Sequence, residues 1–315
     1  MLRKVTRDGY GYSVVELNDV RHVLAVAVPS NGGDLQEQAH DALQTIQAVH
    51  DEETTRGSIV HQAVFVADPA LIPACRTIIN EFYGNELPAT SYVIQPPCQG
   101  KLLAIEAIEA IGVGRGKAEV HIERFSDQFV RVTHNALSWV HCANVTPRNG
   151  VTGAYNQTVS SLSKLRGLLA KLDVGFDHVI RTWFYQGGIV ADEGDTQRYK
   201  ELNRARSAFF EGVEFLAGCQ TGLPQPLSPY PASTGIGTEG RGLMLSCTVC
   251  RGWVPRSTTW GWCGSTSSGK RTSRRPVPFA DHAWVTCRRS MPWPTCAVRN
   301  CWSRSRGWHS HGESE

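Results

Sequence analysis

Pro88-Ala89-Thr90-Ser91 and Pro231-Ala232-Ser233-Thr234 are two copies of one short element, a proline and an alanine followed by two hydroxyl side chains. Each copy opens a strand-like run, and the same order of elements precedes both, so the chain reads as a tandem repeat. A repeat of roughly 110 to 140 residues is too long for a solenoid unit, so the copies read as domains and not as stacked small repeats. It also places a candidate site at the seam between copies.

The elements before the first copy follow from hydrophobic period. Leu24-Ala25-Val26-Ala27-Val28 is an apolar run of strand length, stopped by Pro29 and Asn31-Gly32-Gly33. Leu35, Ala39, Ala42, Leu43, Ile46 and Val49 then share a helical face, with Asp34 placed to cap and Glu37 three residues on. Ile59–Val66 predicts a strand, Asp68-Pro69 opens a helix ending near Tyr83, and Leu102–Ile108 closes the unit as a strand. The second copy repeats this with strands over Ala118–Phe125 and Phe129–Cys142, a helix with Val159, Leu162, Leu165, Leu169 and Leu172 on one face, a strand over Val179–Tyr185, a helix from Thr196 to Phe215 and the run Leu243-Met244-Leu245. The expected fold class is α/β in the layered α+β sense: tandem ββαβαββ units with helices on one sheet face. The expected domains are residues 10–112 and 117–250, followed by an irregular segment, 251–315.

The net charge of +3 hides a division. Residues 247–315 carry ten Arg and one Lys against Asp281, Glu313 and Glu315, and hold six of the ten Cys and seven of the nine Trp, yet no Leu, Ile or Tyr. A segment without those residues scarcely builds a core. It reads as coding DNA translated in a shifted frame from about Cys247, against the alternative of a basic Cys-rich binding tail. No run of about 18 apolar residues occurs, and the N-terminal stretch has no apolar leader core. The expectation is a cytoplasmic protein without membrane or nucleic-acid partners, and the scattered Cys75, Cys98, Cys142 and Cys219 suit a reducing compartment.

Both halves resemble the RidA/YjgF/UK114 family over about residues 10 to 250. In the second copy Leu202-Asn203 is followed by Phe209-Phe210, the family's Asn and aromatic pair. Pro231-Ala232-Ser233-Thr234 sits where the family has Pro-Ala-Arg-Ser, and Leu103-Ala104-Ile105-Glu106-Ala107-Ile108 resembles its last strand. Arg181-Thr182-Trp183-Phe184-Tyr185, Arg198-Tyr199 and the run through Gly237 are similar to the second domain of chorismatases, which hydrolyse chorismate. The resemblance implies enamine/imine deaminase-like or chorismatase-like chemistry without a cofactor, a small carboxylated ligand, and self-association or a pseudo-trimer of units. It places Glu106, Arg181 and Tyr185 as catalytic residues and Thr90, Asn203, Tyr230, Ser233 and Thr234 as substrate-binding ones.

The sequence also departs from the family. The family Arg that grips the substrate carboxylate bidentately is replaced by Thr90 and Ser233. Asn203 has Arg76 as its counterpart, and the counterpart of Glu106 is expected at Cys247 or nearby. Each candidate keeps a structural alternative: Glu106 as general acid/base or as a strand-end carboxylate, Arg181 and Tyr185 as a grip on an anionic ring or as an ion pair and a packed aromatic, Tyr230 as loop packing. His121, His134 and His141 read as structural histidines, and no metal is expected. Gly112–Gly116 lacks the helix a dinucleotide loop needs, Gly264–Lys270 has Arg271 where a P-loop needs Ser/Thr, and Cys247–Cys250 has no second close pair for zinc. Two function classes stay open, a small-metabolite enzyme and a non-catalytic binding or assembly protein.

Overall fold

A computed structural model describes residues 2–17, 19–113, 118–215 and 230–252. The first half forms β1 (Leu2–Arg7), β2 (Tyr10–Leu17), β3 (Val20–Ala27), α1 (Leu35–Glu53), β4 (Thr55–Val66), α2 (Ile72–Tyr83), β5 (Ala89–Ile94) and β6 (Leu103–Val113). The second forms β7 (His121–Ser126), β8 (Phe129–His134), β9 (Leu137–Val145), α3 (Ala154–Lys171), β10 (Val179–Gly187), a small hairpin of β11 (Asp192–Glu193) and β12 (Thr196–Gln197), α4 (Arg198–Phe210), β13 (Ala232–Thr238) and β14 (Leu243–Arg251).

Two six-stranded sheets result, ordered β1-β2-β3-β6-β4-β5 and β7-β8-β9-β14-β10-β13. The orders are identical position by position, so the repeat is one of topology. In each sheet a single parallel pair, β4–β5 or β10–β13, lies at the edge that carries the Pro-Ala element.

Each unit carries one strand more than ββαβαββ. In the first, β1 precedes residue 10 and has no hydrophobic alternation to mark it, because Leu2–Arg7 is a largely exposed edge strand in which half the residues are charged. In the second, the run read as one strand over Phe129–Cys142 is a hairpin: Asn135 and Ala136 both take positive φ and reverse the chain between β8 and β9. The last long helix stops at Phe210 rather than Phe215, although Phe215 is buried in the same core.

Start signals act as their chemistry demands. The Asp34 carboxylate accepts from the Glu37 amide at 2.9 Å and the Glu37 carboxylate accepts from the Asp34 amide, closing a capping box on α1. Asp68-Pro69 first forms a short 3-10 turn before α2. The α3 N-terminus has no side-chain cap of its own, and Glu193 on β11 accepts from the Ala154 amide instead.

One face of each sheet is covered by its helices. Leu43, Ile46, Ile79, Val64 and Ile105 build the first core, and Leu162, Leu165, Phe184, Phe210 and Leu245 the second. The opposite faces pack on each other. Val60, Ala89 and Ile111 meet Val130, Val132 and Trp139, while Phe65 and Ile108 meet Trp183 and Tyr185. This second burial joins the halves through side chains that no helix covers.

The strand β14 runs to Arg251, paired with β10 on one side and β9 on the other, with Cys247, Thr248 and Val249 buried. The chain therefore belongs to the fold beyond Cys247, where the sequence suggested a break. The rest of the Cys/Trp/Arg-rich tail from residue 253, the proline-rich loop over 218–229 and the glycine turn at 114–116 lie outside the described residues. No helix among the described residues is long and apolar enough to cross a membrane.

Candidate functional site

Alternation along β10 sorts the candidates. Thr182 and Phe184 face the helices, whereas Arg181, Trp183 and Tyr185 face the other sheet. On β13, next to it, Thr234 turns the same way as Arg181, whose Nη2 donates to the Thr234 hydroxyl. The Arg181 guanidinium lies 5.1 Å from the Trp183 ring centre, so its charge rests partly on an aromatic face.

Glu106 comes to this place from β6 of the other sheet. Burial first, and then the Glu106 carboxylate, push the Tyr185 phenol well above its ordinary range, against the opposing pull of Arg181. Tyr185 is thus a neutral hydrogen-bond donor at physiological pH, and its hydroxyl is buried with no hydrogen-bond partner among the described residues. Glu106 is half-buried, and Arg181 and Thr234 are buried. These four sequence-derived residues meet at the seam.

The others do not. Thr90 and Ser233 lie on the helix side in equivalent settings, each hydroxyl donating to the carbonyl of the proline two residues before it, Pro88 at 2.8 Å and Pro231 at 3.0 Å. Thr90 also ends a chain in which Tyr83 donates to Gln62 and Gln62 to Thr90. Asn203 is in the helix layer on α4. Tyr230 stacks edge-on with Phe210 and Phe215 at the end of that layer. Arg76, the counterpart of Asn203, lies over the Tyr92 ring and 3.7 Å from Asp127.

Register also relocates the counterpart of Glu106. Glu106 stands opposite Ala63 and Ser246 opposite Trp183, while Thr90–Gln62 and Ser233–Thr182 place Ala63 and Trp183 at one position. Ser246, not Cys247, is therefore the equivalent residue. It is in the seam too, hydrogen-bonded to Ser91 of the first unit at 2.6 Å.

Beside this group lies a buried polar cluster, of which the sequence singles out only His134 and His141. Glu109 on β6 contacts His22 on β3 and lies 3.7 Å from His141 on β9. The His141 ring is 5.6 Å from His61 on β4, and His61 meets Trp183 edge-on at 5.4 Å. His134 stacks on Trp139 and touches His22. Burial holds His61, His134 and His141 below the usual imidazole range, His134 at about 4, while the surrounding histidines outweigh burial to hold Glu109 down at about 2. A lone His or Glu in an otherwise apolar strand, as in Ile59-Val60-His61 and Ala107-Ile108-Glu109, was the available signal. Among the described residues no group of His, Cys, Asp or Glu has metal-holding geometry. His121 is exposed beside Glu119, away from the cluster.

An open groove of about 380 Å³ lies at the far end of the second sheet, between Glu123, Arg131, Thr133, Ser138, Asp173 and Arg251. Its arginines are engaged, Arg131 by the Leu172 carbonyl and Arg251 by Asp173.

No protein-family model matches the sequence, and no curated protein matches it. Among solved structures the chain is similar to a chorismatase, at 14% identity and a TM-score of 0.40 over 76% of this chain and 56% of that one. It is similar to a YjgF-family protein from Neisseria meningitidis, at 19% identity and a TM-score of 0.28 over 42% of this chain and 93% of that one. It is likewise similar to E. coli TdcF with bound serine, at 13% identity and a TM-score of 0.28 over 38% and 85%. The chain spans just over half the length of the chorismatase, and the likeness throughout is one of fold.

Proposed function

We propose that the seam binds a small carboxylate and that the chain is a RidA-like small-metabolite enzyme of hydrolase, lyase or deaminase type. The observation that carries this reading is the meeting of Arg181 and Tyr185 from one sheet with Glu106 from the other, around a buried phenol that has no hydrogen-bond partner among the described residues. A guanidinium suits a carboxylate, and a neutral phenol can donate to an oxygen that gains negative charge. Glu106, the half-buried member, serves as proton acceptor or orients water. The two repeats act in this reading as two domains sharing one site, in a self-associating cytoplasmic protein.

A second reading, a non-catalytic ligand-binding or assembly protein, is favoured by Thr90 and Ser233. Both turn away from the seam and bond back to their own prolines, so neither replaces the arginine of RidA-type deaminases.

Calorimetric titration of the full chain with chorismate, beside turnover assays on chorismate and on 2-aminoacrylate generated in place, separates them. Turnover of either substrate that falls roughly 10- to 100-fold in Arg181→Ala supports the enzyme. Saturable binding without turnover supports the second reading. Neither binding nor turnover overturns both.

A further inference from the structure

Cys142 on β9 and Cys247 on β14 stand directly opposite each other in an antiparallel pair. Both are fully buried in the second core, on the face toward Leu162, Leu165 and Phe184. The Cys247 thiol is close enough to add to the effect of burial in raising the Cys142 thiol above its ordinary range. Directly opposed residues of antiparallel strands have Cα atoms about 4.5–5.5 Å apart, within the range of about 4.4–6.8 Å that a disulfide spans. No other described cysteine shares this arrangement. Cys75 is in the core of the first unit, Cys98 lies before β6, and Cys250 turns to the seam face opposite Trp139.

We propose that Cys142 and Cys247 are a redox pair that small thiol oxidants convert to a cross-strand disulfide. With an uncharged diazene oxidant such as diamide, the thiolate of one cysteine adds to the N=N bond. The second thiolate then attacks the sulfur of that adduct, forming the S–S bond and breaking the S–N bond. The two thiol protons end on the nitrogens, so the dithiol is oxidised by two electrons and the diazene reduced to a hydrazine. Burial pushes the Cys142 thiol well up, which makes attack slow and dependent on momentary opening of the β9–β14 pairing inside the sheet.

The staple lies immediately behind the seam. His141 and Ala143 flank Cys142, Ser246 and Thr248 flank Cys247, and all four face the opposite way from the cysteines. The disulfide therefore fixes the spacing of the two strands that present Ser246 to Ser91 and Thr248 to His141.

The test is peptide mapping of the full chain after diamide treatment, alkylation of remaining thiols and proteolysis without reductant. The expected product is a linked pair of peptides, about 2 Da lighter than their sum, that disappears on reduction. Fragmentation must assign the link to Cys247 rather than Cys250. The link should be absent from Cys142→Ser and from Cys247→Ala, and the wild-type map decides the matter even if a variant misfolds. Recovery of Cys142 and Cys247 as alkylated thiols, or links from either to another cysteine, overturns the proposal.

Discussion

His61 and Arg181 occupy the same point of the two units. His61 lies opposite Ala89 on one side and Glu109 on the other, and Arg181 lies opposite Ala232 and Thr248. Both turn into the seam, and Trp183 touches both, its ring 5.4 Å from the His61 ring and 5.1 Å from the Arg181 guanidinium. The repeat has thus diverged into a permanent cation in one unit and a neutral imidazole in the other. The two ends of the seam consequently differ in chemistry, a guanidinium end at Arg181 and a histidine-glutamate end at Glu109.

Tyr185→Phe separates stability from function. The hydroxyl is buried without a hydrogen-bond partner among the described residues, so its removal costs no internal bond. Folding stability should stay level or rise by up to about 1 kcal/mol in urea denaturation. Ligand affinity or turnover should fall roughly 10-fold or more, because the phenol is then missing from the Arg181 group. A marked loss of stability would mean that the hydroxyl is bonded in the folded protein.

Acid should loosen the seam before it reaches the helix layers. His61, His134 and His141 have lowered values in the folded chain, so below the ordinary imidazole value of about 6.5 the unfolded chain takes protons that the folded one refuses. Their contribution is complete above that pH and shrinks as pH falls, down to about 4 for His134. Glu109, also lowered, adds stability above its unfolded value that is lost as pH falls toward about 2. The neighbouring Cys250 thiol, at about 12, stays neutral throughout. Urea midpoints measured from pH 8 to pH 4.5 should fall steadily below 6.5, with a change in Trp139 and Trp183 fluorescence. His134→Phe should flatten the slope, and an unchanged slope would remove His134 from the account.

Most of the helix layers was legible because one apolar stripe per helix and one capping pair decide them, as Asp34 and Glu37 do. The strand β1 was not, since an exposed edge strand carries no hydrophobic alternation. Arg181, Tyr185, Glu106 and Thr234 follow one by one from strand position and resemblance, and all four lie at the seam. Thr90 and Ser233 follow from the same motif but face the helices, because a side chain at the third position of Pro-Ala-x lies across the pleat from Ser91 and Thr234. The Glu109 cluster depends on five strands of two sheets meeting, and no local pattern encodes that.

Arg198 should be the most damaging single truncation in the second unit. It is buried, and its guanidinium donates to the Gly187 carbonyl, the Gln157 side chain, the Arg241 carbonyl and Glu193. Those contacts tie the end of β10, the first turn of α3, the β13–β14 turn and β11 together. Arg198→Ala strands these acceptors and should cost about 3–5 kcal/mol. Arg198→Lys should recover little, since one ammonium cannot reach four divergent acceptors. Denaturant titration reads both, and a loss below about 1 kcal/mol for Arg198→Ala would show that water replaces the guanidinium.

Gly57 tests how closely β4 and β6 approach. A Cβ there would lie 2.2 Å from the Ile111 carbonyl oxygen and 2.4 Å from the Gly112 Cα, backbone atoms that cannot swing aside. Gly112 meets the same obstacle from its own side, with Thr54 at 2.6 Å and the Gly57 Cα at 3.1 Å. The two glycines therefore let the strands close over the bulge between Thr55 and Ser58, and the demand is for space rather than for a left-handed backbone. Gly57→Ala must push β6 away from β4, one of the two strands it pairs with, at a cost of about 1–3 kcal/mol. That corresponds to a fall in Tm of roughly 2–5 °C for a chain of this size. Gly32→Ala, which meets nothing within 4 Å, should leave Tm almost unchanged and serves as the control. Equal Tm values for the two variants would mean that β4 and β6 part at the bulge without loss, and that the first sheet is held by its other pairings.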